Sequence, residues 1–162
     1  MGLDMYLYLR KSEYHCGASW YSKEEQEKAK YPKELAEFEQ EIKEVNFPSV
    51  SIDKDYQVGY WRKANAIHQW FVDNCAEGID NCQDIYVSPK KAQQLLDKCN
   101  EVLANHSLAE KELPTQEGFF FGSQKYDEWY YEDIEYAKHI LEKVLKFVES
   151  HDRYRIIYHA SW

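Results

Sequence analysis

Leu3-Asp4-Met5-Tyr6-Leu7-Tyr8-Leu9-Arg10 alternates apolar and polar residues without a break. A period of two places Leu3, Met5, Leu7 and Leu9 on one face, the pattern of a half-buried strand. Tyr154 to His159 is a second β-rich run near the other end of the chain. Strands at both ends with helical segments between them predict an α+β fold. It is a small, mostly antiparallel sheet including the N- and C-terminal strands, packed against about four to five helices.

The intervening segments follow from their punctuation. Ser22 and Glu25 form a capping box that starts a short helix, and Pro32 interrupts it. Leu35, Phe38, Ile42 and Val45 then mark a second helix, whose remaining face is mostly Glu and Lys. Residues 46–55 carry Pro, Ser, Asp and Asn and read as a loop. Tyr56 to Trp61 reads as extended, followed by a helix from Arg62 to Ala76 that Gly78 and Asp80-Asn81 terminate. Ile85 to Val87 is a short strand, and Ser88 caps a helix with Pro89 at its first position. Ala92, Leu95, Leu96, Cys99, Val102 and Leu103 form its apolar stripe. After a loop holding Pro114 and Gly118, the longest helix runs from Tyr126 to Glu149 on a stripe of Tyr130, Ile134, Ala137, Leu141, Val144 and Val148. With no repeats or linkers, residues 1–162 read as a single domain.

Composition narrows the function. The net charge of −9 disfavours direct nucleic-acid binding without a strong basic patch. No stretch reaches the roughly 20 apolar residues of a membrane span, so no membrane partner is expected. The first ten residues lack a secretory pattern. The expected location is the cytoplasm. Cys16, Cys75, Cys82 and Cys99 match no metal or redox spacing and read as free thiols. Aromatics make up 16% of the chain, with 14 Tyr and 5 Trp. Such a surplus either fills a Tyr-rich core or lines a ligand pocket or interface.

Two segments concentrate polar and aromatic groups. In Gly59 to Phe71, a helical projection puts Ala64, Ile67, His68, Phe71 and Cys75 on an apolar stripe. His68 is then either a hydrogen-bonded core histidine or a candidate acid/base entering a pocket from its core side. Asp4 or Asp127 would be its orienting carboxylate. Arg62 and Lys63 are expected in the first helical turn, where two cations oppose the helix dipole yet would meet an anion. Leu113 to Ser123, followed by Tyr126-Asp127-Glu128-Trp129, adds aromatic plates. Trp61, Phe120, Tyr126 and Trp129 are candidates for stacking, and Asn65, His68 and Ser123 for polar contacts. The same residues equally fit packing under a loop. Phosphate-loop, dinucleotide, GxSxG and HExxH motifs are absent from the sequence. Glu77, Asp80, Cys82 and Asp84 fit no calcium-loop spacing, so neither metal nor cofactor is expected.

Met1-Gly2-Leu3-Asp4-Met5-Tyr6-Leu7 and Val58-Gly59-Tyr60-Trp61-Arg62-Lys63-Ala64-Asn65-Ala66-Ile67-His68-x-Trp70-Phe71 resemble a family of small phage and prophage proteins. Leu113-Pro114-Thr115-Gln116-x-Gly118-Phe119-Phe120-Phe121-Gly122-Ser123-x-x-Tyr126-Asp127-Glu128 belongs to the same pattern. The resemblance implies a virus-encoded protein acting in the cytoplasm of a bacterium, and brings no catalytic residue with it. Small phage proteins outside the virion often disarm host defences, some by sequestering nucleotide signals.

Three readings follow. The first is a protein that binds a small nucleotide-like ligand, with Arg62 and Lys63 on phosphate. The second is an enzyme on the same ligand, with His68 as acid or base. The third is an acidic interaction protein that docks on a host protein or imitates DNA through the helix at 22–45. Symmetric homo-oligomers are common among small soluble proteins, and the sequence leaves that point open.

Overall fold

The computed structural model describes residues 2–16, 49–118 and 121–162, with side chains described for 2–11 and from 53 onward within those ranges. The helices expected at 22–45, and Phe119 and Phe120, lie outside these residues. The elements in chain order are β1 (Asp4–Cys16), β2 (Ser49–Arg62), α1 (Asn65–Cys75), β3 (Ile85–Val87) and α2 (Pro89–Ala104). A 3-10 turn (His106–Leu108), α3 (Ala109–Glu112), α4 (Glu128–Glu149) and β4 (Tyr154–Ser161) follow. The contacts gather into two compact units, Met1–Lys11 with Asp55–Trp162 and, separately, Ser12–Lys54. The second holds the far ends of β1 and β2. Apart from the strand assignment of residues 49–54, everything below belongs to the first.

The strand order is β2-β1-β4-β3. Strand β4 pairs antiparallel with both β1 and β3, with Tyr158 opposite Leu7 on one side and Ile85 on the other. Tyr60 bonds Asp4 while Asp55 bonds Arg10, so β2 also runs antiparallel to β1. The fold is therefore α+β, its antiparallel sheet built on the N- and C-terminal strands, with four α-helices among the described residues. One expectation is corrected: residues 49–55, read as loop, are strand. Val50 and Ile52 carry a short period-two signal, and a neighbouring strand overrides local turn propensity.

The alternation in β1 works as the sequence implies. Leu3, Met5, Leu7 and Leu9 are buried, and join Trp61, Ile85, Val87, Ile156, Tyr158 and Ala160 beneath the helices. Phe71 of α1 stacks on Tyr158 at 4.2 Å. Ser88 accepts from the Lys91 amide at 3.2 Å and caps α2, with Pro89 just inside. Ala92, Leu95, Leu96, Cys99 and Val102 are buried along α2, and Tyr130, Ile134, Ala137, Leu141 and Val144 along α4.

The other sheet face carries Tyr6, Tyr8, Tyr60, Tyr86 and His159, with Tyr6 in ring contact with Tyr8, Tyr60 and His159. Arg10 lies across it. Its guanidinium bonds both Asp55 oxygens at 2.7 Å and reaches Asp84 at 2.7 Å. His159 meets the second Asp84 oxygen at 3.0 Å. Arg10 thus ties β1 and β2 to the segment entering β3, and His159 brings β4 to the same Asp84. Among the described residues, no helix is long and apolar enough to cross a membrane.

Candidate functional site

The β2–α1 junction sets the site. Helix α1 begins at Asn65, after Ala64, so Arg62 ends β2 and Lys63 forms the corner with φ 64°. This corrects the expectation that both cations occupy the first helical turn. Tertiary closure is the cause: the Lys63 amide donates to the Leu3 carbonyl at 2.8 Å, pinning the corner to the start of β1. Left-handed backbone is uncommon for a residue with a side chain. Here two glycines give that side chain room. A Cβ at Gly122 would sit 2.9 Å from Lys63 Cβ, and one at Gly2 3.1 Å from Lys63 Cε.

Because Ala64 offers no capping oxygen, α1 has no side-chain cap and no acidic residue in its first turn. Among the described residues, no hydrogen bond reaches the amides of Ala66 and Ile67. Both residues line a cavity of about 290 Å³ together with Arg62, Lys63 and Asn65. Thr115, Ser123 and Lys125 also line it, as do Asp127, Trp129, Glu132 and Asp133 around the start of α4. Ile67, Tyr130 and Ile134 contribute the apolar lining. Trp129 is 75% exposed.

Three cations and three carboxylates thus share one cavity without cancelling. Arg62 lies 3.9 Å from Asp4, and its side chain remains 62% exposed. Among the described residues, no ion pair joins Lys63 or Lys125 to a carboxylate, and Asp133 has no hydrogen-bond partner. Burial, with Glu132 beside it, pushes the Asp133 carboxyl up to about 6. Asp127 is partly committed, since one of its oxygens accepts from the Tyr130 amide at 3.3 Å as the cap of α4.

Asn65 is a clasp. Its carbonyl oxygen accepts from the Gln116 amide at 3.0 Å, and its amide donates to the carbonyls of Phe121 at 3.1 Å and Ser123 at 2.9 Å. Tyr130 and Tyr126 hold the rest of that loop, through Leu113 O at 2.8 Å and the Thr115 amide at 3.3 Å. The loop wall of the cavity is thereby fixed from both sides.

His68 lies elsewhere. It is fully buried; its Nδ1 meets the Tyr158 hydroxyl at 2.7 Å and its Nε2 meets Asp80 at 3.0 Å. Trp162 donates to the other Asp80 oxygen at 3.3 Å, and the ring of Phe121 packs edge-on against the imidazole at 5.2 Å. The carboxylate that orients His68 is Asp80, while Asp4 accepts from Tyr60 and Asp127 caps α4. Spacing conceals this partner, because Asp80 is delivered by a loop that reverses through Glu77, Gly78 and Cys82, all with positive φ.

The structure therefore brings Arg62, Lys63, Asn65, Ser123 and Trp129 to one cavity. Trp61 is core, packed edge-on against Tyr136 at 5.4 Å. Tyr126 supports the loop, and Phe120 lies outside the described residues. Sequence reasoning missed Lys125, Glu132 and Asp133 as members. The signal available was position on α4, where Asp133 follows Trp129 by four residues and so shares its face. Among the described residues, no cluster of three or more His, Cys, Asp or Glu is placed to hold a metal ion. The chain matches no protein-family profile, no curated protein and no solved structure.

Proposed function

We propose that the cavity between the start of α1 and the start of α4 binds a small nucleotide-like molecule through its phosphate and its ring. The observation that carries this reading is the convergence of Arg62, Lys63 and Lys125 on one cavity rimmed by the exposed indole of Trp129. Lys63 and Lys125, which pair with no carboxylate among the described residues, favour an anion together with the exposed Arg62. The free amides of Ala66 and Ile67 at the positive end of α1 add donors to the same end. Trp129 gives a planar ring a face on which to stack. The volume lies near the lower bound for small-molecule sites and suits one mononucleotide-sized ligand.

Binding without turnover is the favoured form. His68, the acid/base candidate, is sealed in the core with both ring nitrogens engaged. The resemblance to small phage proteins supplies a setting, capture of a host nucleotide signal in a bacterial cytoplasm.

The test is calorimetric titration with nucleoside 5′-monophosphates and ribose 5-phosphate. Lys125→Ala is expected to weaken binding about tenfold, the loss of one charge-assisted contact. Ligand recovered unchanged supports capture, and an altered molecule makes the protein an enzyme. No binding by any of these probes removes the reading.

A further inference from the structure

Resting on the reading above, we infer that the ligand's ring is guanine-like, presenting two adjacent N–H donors to the carboxylate of Asp133. The argument starts from which groups around the cavity are still free. On the loop wall, the Thr115 hydroxyl already donates to Gln124 O at 3.1 Å, and the Ser123 hydroxyl accepts from the Lys125 amide at 3.1 Å. At the start of α4, one Asp127 oxygen is taken up in capping. What remains on the α4 side is the other Asp127 oxygen, Glu132 at the exposed edge and Asp133, half-buried and without a hydrogen bond among the described residues. Ionised carboxylates only accept. The part of a ligand that meets this wall must therefore donate.

Position supplies the second step. Trp129 and Asp133 are one helical turn apart on α4, so a ring lying on the indole directs its edge toward Asp133. Arg62, Lys63 and the free α1 amides come from the β2–α1 corner, and Lys125 from the loop. The donors Arg62 and Lys63 and the acceptors Glu132 and Asp133 thus enter the lining from different elements.

The chemistry of the bases supplies the third. Guanine carries a ring N–H beside an exocyclic amine, two parallel donors that match the two oxygens of one carboxylate. Adenine and cytosine place a ring acceptor next to their amine, and an ionised carboxylate repels it. Uracil flanks its one N–H with two carbonyl acceptors. Of the four, guanine alone satisfies a partly buried carboxylate with both oxygens free. Discrimination of this kind is strong because the wrong base leaves a buried polar group unpaired.

The experiment titrates the full chain with GMP, IMP, AMP, CMP and UMP, beside Asp133→Asn and Lys125→Ala. GMP is expected to bind at least about tenfold more tightly than AMP, CMP or UMP, with IMP, which lacks the amine, between them. Asp133→Asn is expected to erase that order, and Asp133→Ala serves as a second variant, each checked by its melting curve. Equal affinity for all five, weakened throughout by Lys125→Ala, overturns the guanine inference and leaves the nucleotide reading standing. A GMP preference that survives both Asp133 variants also overturns it. Absence of binding by every nucleotide overturns both.

Discussion

The side-chain amide of Asn65 donates 2.9 Å to the carbonyl of Ser123, joining the first residue of α1 to a loop that lies 58 positions further along the chain. With the bonds to Gln116 and Phe121, one buried residue satisfies three backbone groups of that loop. Asn65→Ala leaves all three unpaired and is expected to cost about 3 kcal/mol. Asn65→Asp keeps the acceptor for Gln116 but turns oxygen toward two carbonyls, and is expected to be at least as damaging. Denaturant unfolding checks both; a midpoint unmoved by either change would mean that the clasp does not hold the loop.

The buried chain from Tyr158 through His68 to Asp80 predicts graded effects. Tyr158→Phe removes the hydroxyl at Nδ1 but keeps the ring on Phe71, an expected loss of about 1 kcal/mol. His68→Ala removes both bonds and leaves a void, about 3 kcal/mol. Since both act on one network, the double variant should cost less than the sum. Equilibrium unfolding of the three proteins measures this, and strict additivity would contradict the network.

Asp133 predicts a stability gain from losing a charge. Its folded-state carboxyl is raised from 3.8 to about 6, so the folded protein holds that proton more tightly than the unfolded chain. The associated stability is full below about pH 4 and is lost as pH rises through 6. Asp133→Asn removes that loss, and after allowance for solvent should stabilise the protein by about 1–2 kcal/mol at pH 7. The difference should vanish below pH 4. Melting curves across this range decide it, and a destabilised variant at neutral pH would contradict the assignment.

Asp55 predicts the opposite sign. The Arg10 guanidinium bonded to it holds its carboxyl below the usual value of 3.8. Its contribution is present above that value and is lost as pH falls through the lower folded one. Asp55→Asn should weaken the protein at pH 7 and flatten its decline in acid. Urea midpoints from pH 2 to 7 test this; curves parallel to the parent would place the acid sensitivity elsewhere.

Local chemistry made part of this legible in the sequence. Ser88-Pro89 announces the start of α2, and the alternation from Leu3 to Leu9 gives the buried face of β1. These features depend on neighbours in the chain. The start of α1 does not, since Lys63 turns left-handed because its amide closes on Leu3, and nothing at Lys63 itself signals that. Helical periodicity placed Asn65 at the polar edge of α1, yet could not tell a ligand donor from a clasp whose partners come from residues 116–123. The pairing of His68 with Asp80 depends likewise on the three positive-φ residues of the connecting loop.

Strand β4 lies between β1 and β3, so Tyr158 must find Leu7 from almost the whole length of the chain away. The consequence is kinetic. Most of the sheet's backbone pairing is nonlocal, and loop-closure entropy is spent before it returns any contact. Helices α2 and α4 carry their own caps and can form early, but the floor on which they settle cannot exist until β1 and β4 have met. Refolding should accordingly fall in the range of about milliseconds to seconds typical of nonlocal sheets. Changes along the Leu7–Tyr158 seam should slow folding, and loss of the Ser88 cap, a contact made early, should likewise act mainly on the folding rate.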